Sequence, residues 1–130
     1  MKRILFFACA VICALLFTDC SKNAQDGKLA GSVWLTNVGT TNYPDWVAIE
    51  FTSDSSCKVY ISDENLSVGR GGTGSYKKDG NKVTFSSLEI TVFFNKYKFL
   101  SGEINGQRLL VDTEKGDKGE HISVSFLRKI

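Results

Sequence analysis

Few residues in this chain could carry chemistry, and each competes with a plainer role. Gly69-Arg70-Gly71-Gly72-Thr73-Gly74 spells G-x-G-x-x-G. In dinucleotide folds those letters turn a strand into a helix whose N-terminus holds a pyrophosphate. Here the continuation is Ser75-Tyr76-Lys77 and then an Asp79-Gly80 turn, which is strand and hairpin rather than helix, and no Walker lysine follows. The glycines therefore read as places where a strand bends or enters a barrel. Asp112, Glu114, Asp117 and Glu120 gather oxygens of the kind that bind Ca²⁺. An EF-hand loop would need glycine where Asp117 stands, and Lys115 and Lys118 sit among the acids, so a solvated hairpin loop is expected. His121 is the only histidine. A zinc site asks for several His or Cys ligands, and a serine nucleophile would sit in a G-x-S-x-G elbow that this chain lacks. His121 reads as an exposed residue at a strand end. No catalytic residue, metal or cofactor is expected, and the chain reads as a non-enzyme.

The cysteines point to a location instead. Lys2 and Arg3 precede an unbroken apolar run, Ile4 to Phe17, and Cys20 follows with Ser21, Lys22 and Asn23 behind it. The run is shorter than the ~20 residues of a membrane-spanning helix and has no polar face for a buried one. The layout is that of a lipoprotein signal peptide over residues 1–19, with Cys20 as the lipidated (palmitate-bearing) first residue of the mature chain. Asp19 is an unusual neighbour for that cysteine. Residues 20–28 read as a polar lipidated tether and 29–130 as the folded domain. Cleavage removes Lys2, Arg3 and Asp19 from a chain with 16 basic and 14 acidic side chains, and leaves a near-neutral protein. A nucleic-acid partner thus has no electrostatic support. Lys77–Lys78 and Arg128–Lys129 read as isolated, solvated basic pairs. Cys57 is then left without a disulfide partner and, alternating with Val59 and Ile61, reads as a small core thiol.

The elements that position these residues are strands. Val47, Ile49 and Phe51 share one face; Cys57, Val59 and Ile61 another; Val83 with Phe85, and Ile122, Val124 and Phe126, repeat the period of two. Asp79-Gly80 and Asn105-Gly106 supply the positive φ that two-residue hairpins need. Strands are predicted near 32–38, 46–52, 57–62, 70–77, 81–86, 89–95, 97–104, 107–112 and 121–128. The predicted fold is all-β: an antiparallel meander of eight to nine short strands closed into a small lipocalin-like barrel, with a β-sandwich as the alternative.

Leu29-Ala30-Gly31 with Val33-Trp34, Ile49-Glu50-Phe51-Thr52-Ser53, the stretch Gly74 to Phe85, and the closing Val124 to Ile130 resemble the small lipocalin-like domains of Bacteroidetes lipoproteins. The resemblance implies an up-and-down barrel, a lipid anchor at the outer membrane on its periplasmic or surface face, and a bound ligand of unassigned kind.

Aromatic residues separate two functional readings. An eight-stranded barrel can be filled by side chains or hold one small ligand. If it is open, Trp34, Phe51, Phe85 and Phe94 are the candidate contacts for a small apolar ligand or lipid. If it is filled, Tyr43, Trp46 and Tyr60 would lie outside and bind an envelope or host protein, or a glycan. The apolar run Ile90–Phe94 suggests a strand covered on both faces or part of an exposed patch.

Overall fold

The computed structural model describes residues 28–130. The expected signal peptide, Cys20 and almost all of the expected tether lie outside the described residues. Eight strands run β1 Val33–Asn37, β2 Trp46–Phe51, β3 Ser56–Ile61, β4 Gly71–Asp79, β5 Lys82–Val92, β6 Asn95–Asn105, β7 Arg108–Lys115 and β8 Glu120–Arg128. Each pairs antiparallel with the next, and β8 returns to β1 through Trp34↔Arg128 and Leu35↔Leu127, closing the barrel. Closure leaves no free sheet edge at that seam, which is what a meander of this length gains by curling. The sandwich alternative is set aside.

Period-two alternation becomes the inside and outside of the wall. Trp34, Ile49, Val59, Phe85, Phe99, Val111 and Phe126 fall on the inner face and form one buried cluster. Phe51 meets Tyr76 edge-on at 4.8 Å between ring centres and stacks with Phe85 at 6.1 Å; Phe99 meets Phe126 edge-on at 5.9 Å. These offset and edge contacts are the geometries that aromatic rings prefer. Inner-face Cys57 is buried among them as predicted, and burial pushes its thiol up to about 11.

The strand count differs from the nine predicted segments at one place. Residues 81–86 and 89–95 are largely one strand, β5, interrupted by a register shift between Thr84 and Leu88, with Ser87 at φ 59°. Its hairpin turns at Phe93–Phe94, between paired Val92 and Asn95, where the sequence reading expected continuing strand. Neither phenylalanine is a turn former, so turn propensity alone does not mark this bend.

The up-and-down course gives the barrel two distinct ends. At one, the chain comes in at Lys28–Leu29, β2 turns to β3, the glycine hairpins at Gly80 and Gly106 lie, and the chain finishes at Ile130. At the other lie the segments 38–45, 62–70 and 116–119 and the Phe93–Phe94 turn. β5 and β6 have 11 residues each against 5 in β1 and 6 in β2 and β3. Their hairpin is the longest in the barrel and turns at this second end.

Candidate functional site

The inner face was the first candidate. Trp34, Phe51 and Phe85 do point inward, but they pack against neighbours rather than around a space. Trp34, Val47, Ile49, Phe51, Val59 and Phe126 are each 0% exposed. A void able to hold even one water beside them would leave them measurable area, so around these side chains the interior is filled.

At the end where the chain comes in, the filling is finished by a polar lock. The Trp34 indole Nε1 donates to Ser32 Oγ at 2.9 Å, and the Ser32 hydroxyl donates to the Leu29 carbonyl at 2.5 Å. The Arg128 guanidinium lies 5.7 Å from the Trp34 ring centre, within cation–π range, and its Nε donates to the Ile130 carbonyl at 2.9 Å. Trp34 thus closes this end.

Phe94 is a correction. It does not point into the barrel; at 99% exposure it stands free at the β5–β6 turn, beside Phe93 at 71%. Phe93 also has φ 55°, a conformation that bulky L-residues avoid and that the Gly80 and Gly106 turns assign to glycine. A tip of two bare phenylalanines, one held in a glycine conformation, is the least expected local feature of the barrel. The sequence signal that could have found it was the apolar run Ile90–Phe94: in a strand buried on one face, alternation ends where the turn begins.

The three surface aromatics divide. Tyr43 is exposed, in the 38–45 segment at the same end as Phe93 and Phe94. Trp46 is half-buried. Tyr60 is a second correction, because it is buried in an outer cluster with Val33, Leu35 and Ala48, against which Trp46 and Leu66 pack. Its hydroxyl donates to Glu50 Oε1 at 3.3 Å. Burial first, and then the Glu50 charge and this hydrogen bond, push the phenol up to about 12.

The chemistry-bearing motifs stay apart. The 69–74 glycines open β4, a strand, and no helix follows them. A Cβ on Gly71 would collide with the Val59 carbonyl oxygen, and one on Gly74 would come 2.7 Å from the Ser86 carbonyl oxygen, so these glycines let neighbouring backbones approach. Open clefts of about 220 and 200 Å³ flank them on the outer wall, lined by residues such as Arg70, Glu89, Lys58 and Thr73. His121 is exposed, with Nδ1 3.2 Å from Asp112 Oδ1 and Nε2 3.9 Å from Glu114 Oε2. Among the described residues no group of three or more His, Cys, Asp or Glu side chains is arranged to hold a metal ion.

No known protein family, curated protein or solved structure matches the chain.

Proposed function

We propose that the chain is a non-enzymatic cell-envelope lipoprotein, anchored through Cys20, whose filled barrel is a rigid mount for a protein-binding tip. The observation that carries this reading is the Phe93–Phe94 turn. It exposes two large apolar rings and accepts a conformation costing of order 1–3 kcal/mol, where glycine or asparagine would cost little. Strain and exposure kept together at one convex tip suit insertion into an apolar pocket on an envelope or host protein, with exposed Tyr43 on the same end as a second contact. A glycan would instead want a concave aromatic platform.

A lipocalin-like role, holding a small apolar ligand or lipid, has the barrel architecture in its favour. It requires the packed rings of Phe51, Phe85 and Phe99 to part before a ligand can enter. Photo-crosslinking from position 94 in intact cells tests the proposed reading. A discrete protein adduct, lost when Phe93→Asn is combined with the probe at 94 in a variant of unchanged fold, is the expected result. An apolar molecule found by mass spectrometry to leave the barrel only on unfolding would move the function inside. For the anchor, Cys20→Ala should release the protein from membranes, and undiminished palmitate labelling of that variant would sink the claim.

A further inference from the structure

We propose that the glycine-turned end of the barrel is a docking surface for an anionic phospholipid bilayer. The sequence scatters its basic residues in pairs; the topology collects them. Lys77 and Lys78 close β4, Lys82 opens β5, Arg108 opens β7, and Arg128 and Lys129 finish the chain, all at one end, on strands β4, β5, β7 and β8. Asp79 and Glu103 lie among them, and Asp54 sits beside β4 at the same end. Among the described residues none of the six basic side chains is in an ion pair, whereas Lys96, toward the other end, lies 3.5 Å from Glu89. The opposite end adds Asp45 and Glu89 to Asp63, Glu64, Glu114, Asp117 and Glu120, seven acids against the five basic residues Arg70, Lys96, Lys98, Lys115 and Lys118, so the molecule is positive at one pole and mildly acidic at the other.

Two further features fit the basic pole to a bilayer surface. Its hairpins turn on Asp79-Gly80-Asn81 and Asn105-Gly106-Gln107. These are small polar tips, so phosphates can come within the ~10 Å over which charge acts at 0.1 M salt. The chain also comes in at this end. The eight-residue stretch Ser21–Lys28 reaches at most about 28 Å, so an anchor at Cys20 would hold this pole nearest the membrane. That last point rests on the lipoprotein reading; the charge does not. Docked this way, the barrel stands on its basic pole and raises Phe93–Phe94 away from the bilayer.

The core runs from Leu29 to Phe126, so residues 21–130 carry the complete fold and can be tested without a lipid. The probe is phosphatidylcholine vesicles with and without an equal part of phosphatidylglycerol, in a co-sedimentation assay. Binding is expected only with phosphatidylglycerol and should fall as salt rises. Each Lys or Arg near such a surface is worth about fivefold in binding. A Lys77→Gln/Lys82→Gln/Arg108→Gln variant should therefore lose about a hundredfold, with its circular dichroism unchanged. Lys96→Gln/Lys98→Gln/Lys118→Gln, at the acidic pole, should bind as the parent does. Equal losses from both triples, or binding to phosphatidylcholine alone, would overturn the proposal. Loss of vesicle binding in Phe93→Asn/Phe94→Ser would overturn it too, by placing the bilayer at the aromatic end. Failure of the crosslinking experiment leaves these outcomes untouched.

Discussion

The β4–β5 and β6–β7 hairpins at the basic end and the β5–β6 hairpin at the aromatic end solve the same problem with opposite residues. Both ends must reverse strands in tight turns. The basic end does so with Gly80 at φ 61° and Gly106 at φ 64°, and seals its core with the buried, hydrogen-bonded Trp34. The aromatic end gives a comparable backbone angle, 55°, to Phe93 and leaves its ring in solvent. The basic end's hairpins follow the rules that make a turn stable, as does the β7–β8 turn at the aromatic end with Gly116 and Gly119 at positive φ; the β5–β6 turn departs from them where a departure costs stability. Local strain of that kind is kept where surrounding structure over-determines it, and it clusters at functional positions. Stability should therefore be concentrated at one end and recognition at the other.

The largest test of that division is Trp34→Ala. Truncating a fully buried indole costs of order 3–5 kcal/mol, and here it also takes away the partner of Ser32 and the ring beneath Arg128. Urea unfolding should show a loss of about 4 kcal/mol, whereas Phe94→Ser, at the other end, should leave the midpoint unchanged. Arg128→Ala should fall between them, at roughly 1–2 kcal/mol, through the cation–π contact and the bond that ties down Ile130. A Phe94→Ser loss as large as that of Trp34→Ala would erase the distinction.

Alkaline pH sharpens the comparison along the wall. Cys57, near the basic end of β3, has its thiol pushed by burial from 9.0 to about 11; Tyr60, farther along the same strand, has its phenol pushed from 10.0 to about 12. Both groups hold their proton more tightly when folded. Their contribution to stability is complete below the unfolded values and falls away as pH rises through the folded ones. For the thiol this amounts to roughly 2–3 kcal/mol. Unfolding free energy should decline from pH 9 upward, the thiol's share being gone by about pH 11. Cys57→Ala should flatten the earlier part of that decline, and an unaltered pH profile in that variant would show that the thiol is not the group responsible.

Much of this arrangement was legible in the chain. Alternation over Val47–Phe51, Cys57–Ile61 and Ile122–Phe126 reports one buried face, and Asp79-Gly80 and Asn105-Gly106 report their own turns. From these the all-β meander and its closure follow. The aromatic tip was less legible, because Phe93 and Phe94 carry the propensities of a strand and only the end of alternation after Val92 marks the turn, across which Val92 pairs with Asn95. Tyr60 was misplaced for a related reason. Alternation put it correctly on the outer face, but the outer face of β1–β3 has a core of its own in Val33, Leu35 and Ala48, and a single strand's period does not reveal what covers it. The polarity of charge between the ends was likewise hidden, since Lys77, Arg108 and Lys129 meet only once the strands are ordered.

The smallest expected effect tests the comparison most directly, because its sign is opposite to that of an ordinary mutation. At φ 55° a bulky side chain is strained by about 1–2 kcal/mol, and asparagine tolerates that region through its short polar side chain. Phe93 is mostly exposed, so its removal forfeits little packing. Glycine would relieve the same strain but return roughly 0.5–1 kcal/mol of chain entropy to the unfolded state. Phe93→Asn should therefore stabilise the barrel by about 0.5–1 kcal/mol, and Phe93→Gly by less. Gly106→Ala, placing a methyl group at φ 64°, should destabilise it by about 1 kcal/mol. If the asparagine variant is instead less stable, the Phe93 ring supports the fold, and the case for a tip set aside for binding is lost. If it is more stable and also fails to crosslink its partner, the strain at Phe93 is the cost of recognition.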